Sequence, residues 1–156
     1  TLFDVKSKLF SPKLSQGMQL GFRLTANPTI AKKLKPEDKR SKRIDVMMHA
    51  KKQLQQRGET DSCIIQQAMT EAAQNWLMDE KRQAEGGFHF IAAPDVVSSE
   101  QHQTFKKNGK GAIQFTSVDY QGVLTVTDPE KFEATLYKGI GRSKAFGCGL
   151  MLIRRI

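Results

Sequence analysis

Cysteine is nearly absent from this sequence: Cys63 and Cys148 are the only two in 156 residues. Two cysteines with no neighbouring partner make neither a disulfide framework nor a zinc site, so both are read as free thiols in a reducing cytoplasm. No apolar run approaches the roughly 18 residues that a membrane helix needs. The opening TLFDVKSKLF sets Asp4, Lys6 and Lys8 where a secretory leader needs unbroken apolar residues. The chain starts on Thr1, which points to a fragment or a processed chain. Acidic side chains are the minority, 16 against 25 Lys and Arg, leaving a formal net charge of +9. A compact domain this basic usually meets a polyanion, and nucleic acid is favoured over a surface kept basic for solubility alone.

The pattern along the chain is mixed. Gln19 to Ala26 alternates Leu20, Phe22 and Leu24 with Gly21, Arg23 and Thr25, which is a strand with one apolar face. Asn27-Pro28 ends it, because the residue before proline avoids the helical region. Residues 29 to 43 are polar, basic and interrupted by Pro36, and read as a loop. Asp45 to Arg57 reads as a short helix ended by Gly58. Ile64 to Glu85 is the clearest helix: Ile65, Ala68, Met69, Ala72, Ala73, Trp76 and Leu77 form one apolar stripe. Asp61 or Ser62 caps its start, and Gly86-Gly87 closes it.

Phe88 to Val97 reads as a strand interrupted at Pro94, hence at an edge or a bulge. Lys106 to Gly111 is a hairpin tip, followed by strand-like sequence to Thr127. Asp128-Pro129 starts a helix, with Phe132, Leu136 and Tyr137 inward. A glycine loop, Gly139 to Gly149, precedes a last strand, Leu150 to Arg154. Strand, helix, strand, strand, helix, strand is the α+β ferredoxin-like pattern, an antiparallel sheet with two helices on one face. Residues 1–17 form a lead-in and 18–156 the domain.

The loop GIGRSKAFGCGLMLI is the most specific feature. Gly139, Gly141, Gly147 and Gly149 surround Arg142, Ser143 and Lys144. Glycine permits positive φ and close backbone approach, and bare amides beside cations favour phosphate. The bland alternative is a tight turn between helix and strand. A dinucleotide-binding turn is excluded, since no strand precedes it and no helix follows. A nucleotide-binding P-loop is excluded too, because Gly-Lys-Ser/Thr does not occur.

That loop is similar to the C-terminal signature of the repeat-associated RNA-binding proteins of CRISPR systems. It most resembles the CasE family, the repeat-cleaving subunit of the type I-E Cascade complex. FRLTANPT (Phe22 to Thr29), the basic Lys42-Arg43-Ile44 and DYQGVLTVTDPEKF (Asp119 to Phe132) extend the resemblance, in order, over most of residues 18 to 153. The resemblance implies two tandem ferredoxin-like domains, of which this chain holds the second. It implies binding of the CRISPR repeat RNA hairpin and crRNA, other Cascade subunits as partners, and an endoribonuclease that matures crRNA without metal. It also implies that the catalytic histidine lies in the first domain, so no position here receives it. The fragment alone is expected to bind without cutting.

Such cleavage has a 2′-hydroxyl attack the adjacent phosphate while the 5′-oxygen leaves, which needs an acid, a base and positive charge. His49 and His89 lie in a helix and a strand. His102 lies in a polar loop before the hairpin. None neighbours a matching base, so each is read as structural or solvated. Carboxylates are scattered, no cluster has ligand spacing, and no metal or small-molecule cofactor is expected. RNA contacts are better supplied. Lys32, Lys33, Lys35, Lys39, Arg40, Lys42 and Arg43 stand against only Glu37 and Asp38. Lys106, Lys107 and Lys110 mark the hairpin tip, and Arg142 and Lys144 the glycine loop. Lysine-rich loops suit phosphate positioning, and structured RNA is read mostly by shape and backbone. Phe88, Phe90, Phe115 and Tyr120 are read as core rather than base-stacking residues. The rival reading is a structural RNA-binding protein of ribosomal type, which has no need of the four-glycine loop. An acylphosphatase-like enzyme shares the fold but needs an arginine-bearing phosphate loop near the N-terminus, which is missing.

Overall fold

The structure, a computed structural model, describes residues 3–33, 35–105, 109 and 111–156. Residues 3–18 carry no helix or strand. β1 (Gln19–Ala26) follows, with Leu20, Phe22, Leu24 and Ala26 buried, as its alternation requires. After Asn27-Pro28 the chain does not enter a loop. β2 (Thr29–Lys32) pairs antiparallel with β3 (Lys42–Asp45) as a separate two-stranded ribbon. Both strands are largely exposed, so neither shows the apolar alternation by which a strand is recognised.

Three helices are expected, two of them on the sheet; four form, because the second is divided. Asp45 caps α1 (Val46–Gln56), its carboxylate accepting from the amides of Met47 and Met48 at 2.9 and 3.0 Å. Asp61 caps α2 (Ser62–Leu77) in the same way. The long helix expected over 64–85 breaks at Met78. Asp79 accepts from the amide of Arg82 at 3.0 Å and starts α3 (Glu80–Gly86). Aspartate competes with the backbone for its amides, so it serves better as a cap than inside a helix. Gly87 closes α3 at φ 71°, and a Cβ there would meet the Asp128 carbonyl oxygen at 2.4 Å, so only glycine fits.

The interrupted strand is two strands on one edge of the sheet. β4 (Phe88–His89) and β5 (Asp95–Phe105), with Pro94 between them, both pair with the long β6 (Ala112–Val126), at opposite ends of it. α4 (Pro129–Lys138) starts at the Asp128 cap, with Phe132 and Leu136 buried. Tyr137 does not point inward: it is 61% exposed, and its hydroxyl donates to the Phe10 carbonyl at 2.5 Å. β7 (Met151–Arg155) is the last strand. The main sheet runs β4–β6–β1–β7, with β5 beside β6, and its pairs are antiparallel. This is the expected ferredoxin-like order, with the β2–β3 ribbon inserted after the first strand and α1, α2 and α3 filling the first crossover.

The core lies between the sheet and the helices. Trp76, Leu77, Phe132 and Leu136 pack over Leu24, Tyr120, Leu124 and Val126. Tyr120 is anchored by its hydroxyl, which donates to the Ala73 carbonyl at 2.9 Å, and burial pushes its phenol above the ordinary range. On the opposite, helix-free face, Asp119 accepts from Thr25 at 2.5 Å and from Ser98 at 2.6 Å. The Ser98 and Thr25 hydroxyls hold its carboxyl below the usual carboxylate range. Cys63 is exposed, Cys148 is buried, and both are free thiols. Among the described residues no helix is long and apolar enough to cross a membrane.

Candidate nucleic-acid interface

The strand register brings distant segments to one end of the domain. The β2–β3 ribbon and α1 form one wall of a cleft, and the β5–β6 hairpin forms the other. The glycine loop closes its end. The cleft encloses about 690 Å³. Thr29, Arg43, Asp45, Met48 and Lys52 line the first wall, and Gln101, His102, Gln103, Ile113, Gln114, Phe115 and Thr116 the second. Asn27, Arg142 and Ser143 lie between them. Three cations, Arg43, Lys52 and Arg142, face a single carboxylate, and that carboxylate, Asp45, is spent on the amides of α1. Arg43 and Arg142 are exposed and make no ion pair among the described residues. The lining supplies positive charge and amide groups, the chemistry that meets phosphates and base edges.

The glycine loop is shaped by backbone geometry. Gly139, Gly141, Gly147 and Gly149 all have positive φ. Ser143 does too, at φ 60°, alone among the described non-glycine residues. A left-handed serine costs on the order of 1 kcal/mol, so its surroundings must hold it. They do: Asn27 Nδ2 donates to Ser143 Oγ at 2.7 Å, and the amides of Phe146 and Cys148 donate to the Ser143 carbonyl at 2.9 and 3.3 Å. Gly149 donates to the Thr25 carbonyl at 2.7 Å, and Ile140 to the Gly149 carbonyl at 2.8 Å. The amides of Gly139 and Gly147 are also bonded within the chain. The expectation of bare glycine amides for phosphate is therefore corrected at these three glycines. They build the loop, and the exposed cation it presents to the cleft is Arg142.

The residues singled out in the sequence separate into groups. Arg43, Arg142 and Ser143 line the cleft. Lys32 and Lys42 sit opposite each other in the ribbon, and Lys32 Nζ lies 3.2 Å from His49 Nε2. Lys33, Lys35, Lys39 and Arg40 are exposed around the ribbon's turn, where the Lys35 amide donates to Asp38 at 3.0 Å. Lys144 opens the one-turn 3-10 helix Lys144–Phe146 and is not a cleft residue; its stem folds back beside Gly139. Lys106, Lys107 and Lys110 lie outside the described residues.

Two sequence readings are overturned. His102 is not in a loop: it lies in β5, opposite Phe115 of β6, with Nε2 2.7 Å from Ser117 Oγ. Phe115 is not core: it is half-buried on the cleft wall and stacks on His102 at 4.7 Å between ring centres. Phe88, Phe90 and Tyr120 are core, as expected. Sequence reasoning also misses Asn27 and Thr116, which are buried polar residues at 5% exposure, and Lys52. The available signal is polar residues at strand positions, Gln101, Gln103, Gln114 and Thr116, where a covered face would carry aliphatic ones. Among the described residues no three His, Cys, Asp or Glu side chains gather as a metal site.

Known proteins share this architecture. The CRISPR-associated endoribonuclease Cse3 of Thermus thermophilus is 34% identical over 157 residues, covering 94% of this chain and 60% of Cse3. The CRISPR system Cascade subunit CasE of Escherichia coli K12 is 31% identical over 150 residues, covering 94% of this chain and 63% of CasE. A solved structure of CRISPR endoribonuclease Cse3 bound to 19 nt RNA superposes with a TM-score of 0.65 at 29% identity, over 94% of this chain and 61% of that one. The chain thus spans about three-fifths of the length of these relatives. A family model described as CRISPR associated protein matches residues 1–155, and with these likenesses it shows that the chain belongs to that family.

Proposed function

We propose that this chain binds the stem-loop of CRISPR repeat RNA in the cleft between its two hairpins. It does so as the second domain, 18–156, of an endoribonuclease that matures crRNA and stays with it among the other Cascade subunits. The cleft carries the reading: a groove between two projecting ribbons, with cations along one wall and at its closed end and nothing negative left free in its lining. The RNA-bound Cse3 relative and the Cascade subunit CasE support the same assignment. Arg43, Lys52 and Arg142 hold phosphates. The ribbon cations Lys32, Lys33, Lys35, Lys39, Arg40 and Lys42, with Lys106, Lys107, Lys110 and Lys144, extend the positive surface along a stem. Ser143 fixes the loop that presents Arg142.

The chain's part in the reaction is grip. It orders the stem so that the phosphate to be cut is presented to residues outside this chain, in a cleavage that uses a 2′-hydroxyl and no metal. His102 is not assigned a catalytic part, since its Nε2 is engaged by Ser117 and its ring is stacked on Phe115. The protein is expected to work in the cytoplasm. The test is a titration of the chain with a repeat hairpin from its own host's CRISPR array and with an unpaired scrambled RNA, across a salt series. The hairpin is expected to bind at least tenfold tighter and to be recovered intact, with log K falling by about 0.9 per phosphate engaged for each decade of salt. Equal affinities for both RNAs would contradict the assignment.

A further inference from the structure

The cleft carries a feature that duplex binding does not use. His102, Phe115 and Phe146 form a row of rings. His102 stacks on Phe115 at 4.7 Å and 23°, and Phe146 lies against Phe115 at 5.0 Å and 33°. The row ends on Phe146, which is 50% exposed. Neither Phe115 nor Phe146 belongs to the hydrophobic core. Phe146 is delivered by the one-turn helix between two left-handed residues, Ser143 and Gly147. Two benzene rings and an imidazole kept partly in water, at the rim of a basic cleft, need a reason.

A second observation lies in the same cleft. Asn27 and Thr116, the buried polar side chains named above, both line this cleft. Asn27 gives one end of its amide to Ser143, while its Oδ1 is buried without a partner. A buried acceptor left unpaired is costly and is normally satisfied. An opening of about 690 Å³ with a few convergent polar groups is within the usual size range of small-ligand pockets.

We propose that this pocket takes one unpaired nucleotide next to the RNA stem, its base stacked on the Phe146–Phe115–His102 row and its edge turned toward Asn27. A base pair inside the stem cannot fill this role, because both its faces are already stacked. Proteins that read unpaired RNA do so with aromatic platforms and amide groups of this kind. Arg142, which lines the same cleft, holds the phosphate where the stem meets this nucleotide. The proposal rests on the RNA-binding reading above and adds to it a subsite for single-stranded sequence.

The test compares two RNAs on the full chain: a blunt repeat stem-loop, and the same stem-loop with its natural unpaired flanks carrying 2-aminopurine at successive positions. Quenching at one flank position is expected on binding. Phe146→Ala should weaken the flanked RNA roughly tenfold, the scale of one base–aromatic stack, and leave the blunt stem unchanged. An abasic site at the quenched position should cause the same loss, and the two changes together no more than either alone. Phe146→Trp should restore binding. Because Phe146 is outside the core, its variants should melt with the parent chain. If Phe146→Ala weakens both RNAs alike, or neither, the pocket is wrong while stem binding stands. If the parent chain binds no stem, both readings fall.

Discussion

Replacing Arg43 and Arg142 together by alanine lowers affinity for the repeat hairpin about a hundredfold. Each guanidinium meets phosphate through charge-assisted hydrogen bonds, worth roughly 1.5–3 kcal/mol apiece, and about 1.4 kcal/mol is tenfold in affinity. The two come from separate segments, Arg43 from the ribbon wall and Arg142 from the glycine loop at the cleft's end, so their losses are expected to add. The salt dependence should flatten as well, by about one unit of slope for each phosphate that is no longer neutralised. Folding should be untouched, because both side chains are exposed and neither makes an ion pair among the described residues. Fluorescence anisotropy across a salt series reads affinity and slope together. A double variant that binds as the parent does would remove the cleft from the account.

Trp76→Ala has the largest effect expected on stability. Trp76 is 5% exposed and joins three parts of the domain. Its Nε1 donates to the Thr29 carbonyl at 3.0 Å, at the start of the ribbon. Its ring lies so close beneath Gly141 that a Cβ there would meet it at 3.1 Å. Its other neighbours are Tyr120, stacked at 6.4 Å, and the Arg82 guanidinium, 4.0 Å from the ring centre. Arg82 also donates to the Trp76 carbonyl, and burial lowers its pKa from the ordinary value. Removing the indole opens a cavity and leaves Thr29 without its donor. The expected cost is about 3–5 kcal/mol. At this chain length that lowers Tm by roughly 10 °C. Trp76→Phe keeps most of the packing but loses the hydrogen bond, which costs about 1 kcal/mol on its own. Calorimetry separates the two variants. Loss of hairpin binding by Trp76→Ala at a temperature where it is still folded would show that the indole also sets the ribbon and the loop around the cleft. A loss of stability below about 1 kcal/mol would contradict the central place given to this residue.

How much of this is legible in the chain depends on whether local signals carry it. The alternation in β1, the Asp61 and Asp128 caps and the Gly87 stop each act within a few residues, and each appears where the sequence puts it. The β2–β3 ribbon is not legible, because strands exposed on both faces have no apolar period. The break at Asp79 is hidden because the apolar stripe of α2 continues to its last residue, Leu77, and one capping aspartate is a weak signal against it.

The candidate site is legible only in pieces. Its cations and its glycines stand out in sequence, but the cleft exists because Asn27 and Ser143 meet across 116 positions. His102 reads as a loop residue because nothing local shows that β5 runs on past it. Phe115 reads as core because it is aromatic in a strand, although it alternates away from Thr116, Val118 and Tyr120 on the buried face of β6. The β5–β6 register, with His102 opposite Phe115, decides both.

The most direct test of the cleft is amide NMR of the isotope-labelled chain titrated with the repeat hairpin. Arg43, His102, Phe115 and Ser143 should shift or broaden. Arg23, Gln121 and Leu152, which lie side by side in register on the helix-free face of the sheet, should not. A hairpin that perturbs Arg23, Gln121 and Leu152 and leaves the cleft residues where they were would contradict RNA binding in the cleft.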